Sequence, residues 1–272
     1  MAYVSSFIFN KQTNIAANKS TSIKIPSKKS HVNATFSKSY PQCPVILLEV
    51  IEMKFFLSII FFILGACIIS FLKVIAHDYP HLSVTRRSHC DHCRRILEWF
   101  EIIPIIGYFV VHGKCFSCKK QIDFFNPLQE LLGGLFFSWI AHLDDWFYWP
   151  FFIMLILLGF MDYYYGYIYP IFYLLSLPTL ILIYPRLHLT LALLTYLILF
   201  LLSKRYLFGL GDIEVLTIIS LIFGYQLFLN IVILACLLCI GVYLTNKKRS
   251  FRFIPYLTTA TGIIYLIFSI KT

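Results

Sequence analysis

An all-α, polytopic membrane protein of about eight transmembrane helices is the fold class this sequence predicts, and three observations predict it. Apolar residues fill 59% of the 272 positions and charged residues only 13%, more apolar side chain than a soluble core of this size buries. These residues fall in separate runs, several of them near the ~20 helical residues that a bilayer requires. The basic residues behind the net charge of +10 gather in the loops between the runs, as the positive-inside bias demands. The charge is therefore assigned to membrane topology, with the lipid bilayer as partner and no direct nucleic-acid binding expected. No internal repeat or low-complexity tract stands out.

Residues 1–52 differ from the rest. They are rich in Ser, Lys, Asn and Thr, are broken by Pro26 and Pro41, and lack sustained periodicity, so most of them are expected to be disordered. The lack of Arg argues against a transit peptide. Met53-Lys54-Phe55-Phe56-Leu57 opens like the N-terminus of a membrane protein. Leu48-Glu49-Val50 can be encoded by a purine-rich stretch of the ribosome-binding type, so a second expectation is that 1–52 is a misassigned extension and translation starts at Met53. The nucleotide sequence decides this.

The first transmembrane helix is expected over 53–76, with further apolar runs at about 128–143, 146–161, 167–184, 187–203, 212–224, 226–244 and 254–270. Tight turns are expected at Asp144-Asp145 and at Tyr225-Gln226. This divides the chain into a loop, 77–127, and a membrane-embedded core, 128–272. Arg86, Arg87, Arg94, Arg95, Lys114, Lys119 and Lys120 lie in that loop, Lys204 and Arg205 in a second, and Lys247, Lys248, Arg249 and Arg252 in a third. Threading eight helices puts all three on one side, which is then cytoplasmic; Lys54 alone opposes this. The protein is expected in the cytoplasmic membrane as a multi-pass chain. Trp139, Trp146 and Trp149 surround the first opposite turn, where an aromatic belt belongs.

Within the 77–127 loop stand Cys90-Asp91-His92-Cys93 and, 21 residues on, Cys115-Phe116-Ser117-Cys118. Two CxxC knuckles can aim four thiolates at one tetrahedral Zn2+. A reducing cytoplasmic side disfavours two structural disulfides, and a structural zinc gives this loop a folded centre that its apolar content does not supply. His77, His81, His89, His92 and His112 are read as surface residues, since the cysteines complete the set. Cys67 is a lone small apolar residue. Cys236 and Cys239 share a helix face and are read as buried packing.

Few acids lie beside the apolar runs, and an ionisable group there is expensive to keep. Asp212 follows Gly209-Leu210-Gly211 at the mouth of one run, and Asp162 ends another on the same side of the threading. Two close carboxylates cannot both ionise cheaply, so one keeps its proton while the other stays charged. Such a pair can deprotonate water for attack on a peptide carbonyl and protonate the carbonyl oxygen. Gly209 and Gly211 allow close backbone approach of a substrate. The alternative is that Asp212 caps its helix and Asp162 ends its own at the interface; spacing leaves both readings open.

Gly209-Leu210-Gly211-Asp212 resembles the GxGD signature of membrane-embedded aspartyl proteases. Together with the four-cysteine loop it resembles the type IV prepilin peptidases, including the Gram-positive competence type, from about Met53 to the C-terminus. Ser70-Phe71-Leu72-Lys73-Val74 is similar to the family's SFLNV, Glu101-Ile102-Ile103-Pro104 to its ENIP, and Asn126-Pro127-Leu128-Gln129-Glu130-Leu131-Leu132-Gly133-Gly134 to its YPLVELLTG. The resemblance implies that Asp162 and Asp212 are the catalytic pair. It implies an enzyme that removes the leader of prepilin-like proteins on the cytoplasmic side, with competence pseudopilins as substrates. Many members also methylate the new N-terminus with S-adenosylmethionine, an activity associated with the region around Glu101. Here Lys73 and Ile102 replace Asn, which weighs against methyl transfer. Glu214 stands where relatives often carry Lys, and is expected to point to the cytoplasm.

Two other functions fit parts of the pattern. A catalytically inactive, zinc-stabilised membrane scaffold or transporter uses the cysteines without the carboxylates. A membrane thiol oxidoreductase needs cysteines on an oxidising side, which the threading opposes.

Overall fold

The computed structural model describes residues 43–79, 88–90, 92–206, 209–246 and 252–270. Met1–Pro44 and Val45–Thr272 form separate units. The first falls almost wholly outside the described residues, as does the expectation of disorder for residues 1–42; the second carries the helical architecture.

Nine α-helices are described, with no strand among the described residues: α1 (Cys43–Asp78), α2 (Trp99–Ile102), α3 (Ile106–Val110), α4 (Phe125–His142), α5 (Trp149–Tyr165), α6 (Leu177–Leu182), α7 (Leu189–Tyr206), α8 (Leu210–Asn246) and α9 (Ile254–Ser269). The described first helix runs from Cys43 rather than Met53, with Val45-Ile46-Leu47-Leu48 and Val50-Ile51 carrying the apolar run back past Glu52 and Glu49. Three segments are long and apolar enough to cross a membrane: Met53–Asp78, Trp146–Tyr165 and Leu210–Thr245. Pro170–Leu182, Leu189–Lys204 and Ile254–Ser269 are shorter apolar segments. Eight separate spans are thus not reproduced. The 167–184 run is divided by Pro170, Pro178 and Pro185 into 3-10 turns over Pro170–Ser176 and Tyr184–Arg186 with the short α6 between them, since proline cannot supply the helix-interior N–H. The runs at 212–224 and 226–244 form one element, α8, broken into two arms at Gly224 (φ 69°, ψ −179°).

At the centre lies α5, whose Phe151, Phe152, Met154, Leu155, Leu158 and Met161 are buried against α9, the start of α8 and the 3-10 turns. Thr258 on α9 donates its hydroxyl to the Leu155 carbonyl at 3.0 Å. The α1–α4 contact is made by small residues: a Cβ on Gly133 would lie 2.1 Å from Ile69 Cγ1, and one on Gly65 2.8 Å from Phe137 Cβ. Close backbone approach of this kind is how membrane helices associate without a hydrophobic driving force, and Ser58 and Ser138 bridge the same contact at 2.8 Å.

Candidate metal centre and carboxylate pair

The two CxxC knuckles are near copies of each other. In the first, the Cys90 N–H donates to the Arg95 carbonyl at 2.9 Å and the Arg94 N–H to the Cys90 carbonyl at 2.8 Å; in the second, Cys115 and Lys120 pair at 2.9 Å and Lys119 and Cys115 at 3.0 Å. Arg94 and Lys119 each adopt φ 57°, the left-handed turn that swings the second cysteine of each knuckle beside the first. Isolated antiparallel bridges, His89 with Ile96 and Lys114 with Gln121, close the two loops.

All four Sγ atoms lie within 4.8 Å of one another. The Cys90–Cys118 and Cys93–Cys115 sulfurs are 3.9 Å apart, far beyond the ~2.05 Å of a disulfide. Four sulfurs at ~2.3 Å from a tetrahedral zinc stand about 3.8 Å apart, so the donor set fits that ion. Hydrogen bonds from the Cys118 and Ser117 backbone lower the Cys115 thiol to about 6. The Lys120 backbone bond acts the same way on Cys118, but burial and the neighbouring thiols outweigh it and push Cys118 up to about 11. By contrast, Cys236 is exposed and Cys239 only partly buried, so the reading of that pair as buried packing does not hold: their shared helix face looks outward.

Polar contacts tie the lobe together and join it to α4, and α4 to α1. Arg95 Nη2 reaches both Glu101 carboxylate oxygens, at 2.7 and 2.6 Å, and Glu101 also accepts the Glu98 N–H at 2.9 Å in a capping box that starts α2. Glu130 on α4 accepts the Ile105 N–H at 2.8 Å. Lys73 on α1 donates to Asn126 Oδ1 and, at 3.0 Å, to Gln129 Oε1.

Asp162 occupies the last turn of α5, which closes when the Gly166 N–H returns to the Asp162 carbonyl at 2.9 Å with Gly166 at φ 65°. Asp212 occupies the first turn of α8. The two lie near enough for the Asp162 charge to be felt at Asp212. Asp162 is 8% exposed, and its Oδ2 has no hydrogen-bond partner among the described residues. The glycines of the motif make room for the chain itself. A Cβ on Gly209 would lie 3.2 Å from Asp212 Oδ2, and one on Gly211 2.7 Å from Ile168 Cδ1. Ile168 seated on Gly211 joins the segment after α5 to the start of α8.

Three neighbours were not legible in the sequence as parts of this site. Arg252 and the Ile254 backbone N–H both face Asp162, and Arg252 Nε packs over Gly166; sequence alone marked Arg252 only as a topology charge. Tyr173, in the Pro170–Ser176 turn, has a buried hydroxyl with no hydrogen-bond partner among the described residues, near Glu214 and Asp212. Glu214 itself is half-buried.

Residues 63–143 match the bacterial peptidase A24 N-terminal domain. This stretch holds the four cysteines, Lys73, Glu101 and Glu130 and ends before Asp162. The chain is 36% identical over 93 residues to a prepilin leader peptidase/N-methyltransferase of Myxococcus xanthus, covering 34% of this chain and 28% of that one. It is 40% identical over 81 residues to the Bacillus subtilis protein of the same name, covering 29% and 33%, and 39% identical over 59 residues to that of Neisseria gonorrhoeae, covering 22% and 21%. The matched part spans about a third or less of these relatives. No solved structure matches. These matches support the type IV prepilin peptidase family as the one this chain resembles.

Proposed function

We propose that this membrane protein is a prepilin leader peptidase that cuts the leader from prepilin-like proteins, competence pseudopilins among them, at the cytoplasmic membrane face by a two-aspartate mechanism. The observation that carries the reading is the pairing of Asp162 and Asp212. Fifty residues apart in sequence, they sit on the last turn of α5 and the first turn of α8, with Asp212 within reach of the Asp162 charge. One carboxylate is charged and takes a proton from water as it attacks the scissile carbonyl; the other is protonated and donates to the carbonyl oxygen. Arg252 and the Ile254 N–H stand on the Asp162 side of the pair, and Gly209 and Gly211 let the α5 and α8 ends approach. The 77–127 lobe holds a structural zinc through Cys90, Cys93, Cys115 and Cys118 and the 128–272 segment carries the chemistry. Glu101 is engaged by Arg95 and by the Glu98 N–H, so we assign it to the lobe's stability ahead of any part in methyl transfer from S-adenosylmethionine.

The test is co-expression with a pseudopilin and mass spectrometry of the pseudopilin N-terminus. Asp162→Asn and Asp212→Asn are each expected to abolish cleavage at unchanged membrane levels of the enzyme, and retained cleavage by either variant removes the dyad. The same spectrum shows whether the new N-terminus carries a methyl group.

A further inference from the structure

One side of the four-cysteine lobe is used neither by the metal nor by the carboxylate pair. It holds a cavity of about 730 Å³ walled by Tyr108, His112, Lys114, Lys119, Lys120 and Phe124, with Asp123 as the one acid in its lining. The place of this cavity in the fold is fixed. Phe124 immediately precedes α4, and Asn126 and Gln129 just beyond it are tied to Lys73 near the end of α1, which is long and apolar enough to cross a membrane. The cavity therefore opens beside the end of a membrane-crossing helix, the level at which hydrocarbon gives way to lipid headgroups.

Exposed rings adjoin its lining. Phe124 in the wall is 57% exposed, and its chain neighbour Phe125 and Phe116 are 65% and 62% exposed; the Lys119 ammonium sits 5.2 Å from the Phe116 ring centroid. Ammonium groups beside exposed rings suit a ligand with an anionic head and an apolar body. A zinc held by four thiolates adds negative charge behind this wall, but the groups that reach the cavity itself are the lysines, and they outnumber Asp123.

We propose that the cavity binds the phosphate headgroup of an anionic phospholipid in the leaflet that holds the start of α4. The lysine ammoniums meet the phosphate, and Phe124 and Phe125 lie among the upper acyl chains. The proposal rests on the membrane reading and not on the peptidase reading.

The full-length protein in nanodiscs of mixed phosphatidylglycerol and phosphatidylcholine is released into the gas phase, and the lipids that stay bound are weighed. Wild type is expected to retain phosphatidylglycerol over phosphatidylcholine, and the Lys114→Gln/Lys119→Gln/Lys120→Gln variant to lose that preference by about tenfold while keeping its bound metal. Excess inorganic phosphate distinguishes the sources: it is expected to leave the retained lipid in place, and its displacing the lipid would mean a free phosphate site instead. Should the triple variant fail to hold metal, wild type alone decides, since a preference that is absent or that does not weaken with rising salt overturns the proposal. So does equal retention by a metal-loaded triple variant.

Discussion

Lys73 on α1 donates its ammonium to Gln129 Oε1 on α4 at 3.0 Å and also to Asn126 Oδ1, with Glu130 and Asp123 as the acidic groups that act on it. Glu130 holds the Ile105 N–H and Asp123 the Phe125 N–H, so the cation stands among the acceptors that join the cysteine lobe to the start of α4. Lys73→Met leaves two amide oxygens and two acids without their cation. It is expected to cost about 1–3 kcal/mol and to raise hydrogen exchange across 103–125 while α5 and α9 stay protected. Unchanged exchange in that segment would show that the lobe is held by other contacts.

The cysteine centre predicts a dependence on metal and on pH. Cys115, lowered to about 6 by the Cys118 and Ser117 backbone, is a thiolate at neutral pH even without metal, whereas Cys118 at about 11 must give up a proton on binding. Zinc uptake at neutral pH is therefore expected to release protons, fewer than four per ion. Affinity is expected to fall with pH already from neutrality and more steeply below about 6, where Cys115 takes up a proton as well, because protonated thiols do not ligate. Chelation, or Cys93→Ser, is expected to open the 88–122 segment to protease and leave the helical core intact. A metal-free protein with an equally resistant lobe contradicts this.

Gly211 tests whether the carboxylate pair is set by packing. An alanine Cβ would lie 2.7 Å from Ile168 Cδ1 but 3.5 Å from its Cβ and Cγ1, so the conflict is with one methyl group. Gly211→Ala is expected to cost about 1–3 kcal/mol and to reduce leader cleavage, and Ile168→Val, which deletes that methyl, is expected to restore much of both. No recovery in the double variant would place the role of Gly211 elsewhere, for instance in contact with substrate.

The cysteine knuckles were legible in the sequence because CxxC places its ligands within a few residues of each other, so local geometry suffices. The apolar runs announced helices, since hydropathy is a property of each run alone. The breaks in them were less legible: prolines at 170, 178 and 185 turned one expected span into short turns, and α1 ran back past Met53 to Cys43 on apolar residues read as part of a disordered segment. Arg252, Tyr173 and the Ile254 N–H lie near the pair only through tertiary packing of α9 and the 170–176 turn. No spacing rule reaches from Asp162 to a residue ninety positions on, and the i, i+2 offset of Glu214 from Asp212 points it to another face of α8.

Gly224 offers the converse of Gly211. A continuous helix of 37 residues would run about 55 Å, well beyond a hydrocarbon layer of about 30 Å, so α8 has to be interrupted. The interruption falls at φ 69°, ψ −179°, a conformation open in practice only to glycine. An alanine Cβ there would also lie 2.7 Å from His188 Nε2, but that ring can swing aside. Gly224→Ala is therefore expected to cost about 1–3 kcal/mol through the backbone, and His188→Ala is expected to return little of it in thermal unfolding of the double variant. If His188→Ala did restore stability, the barrier at 224 would be space rather than backbone conformation, and the break in α8 would be set by what packs on it.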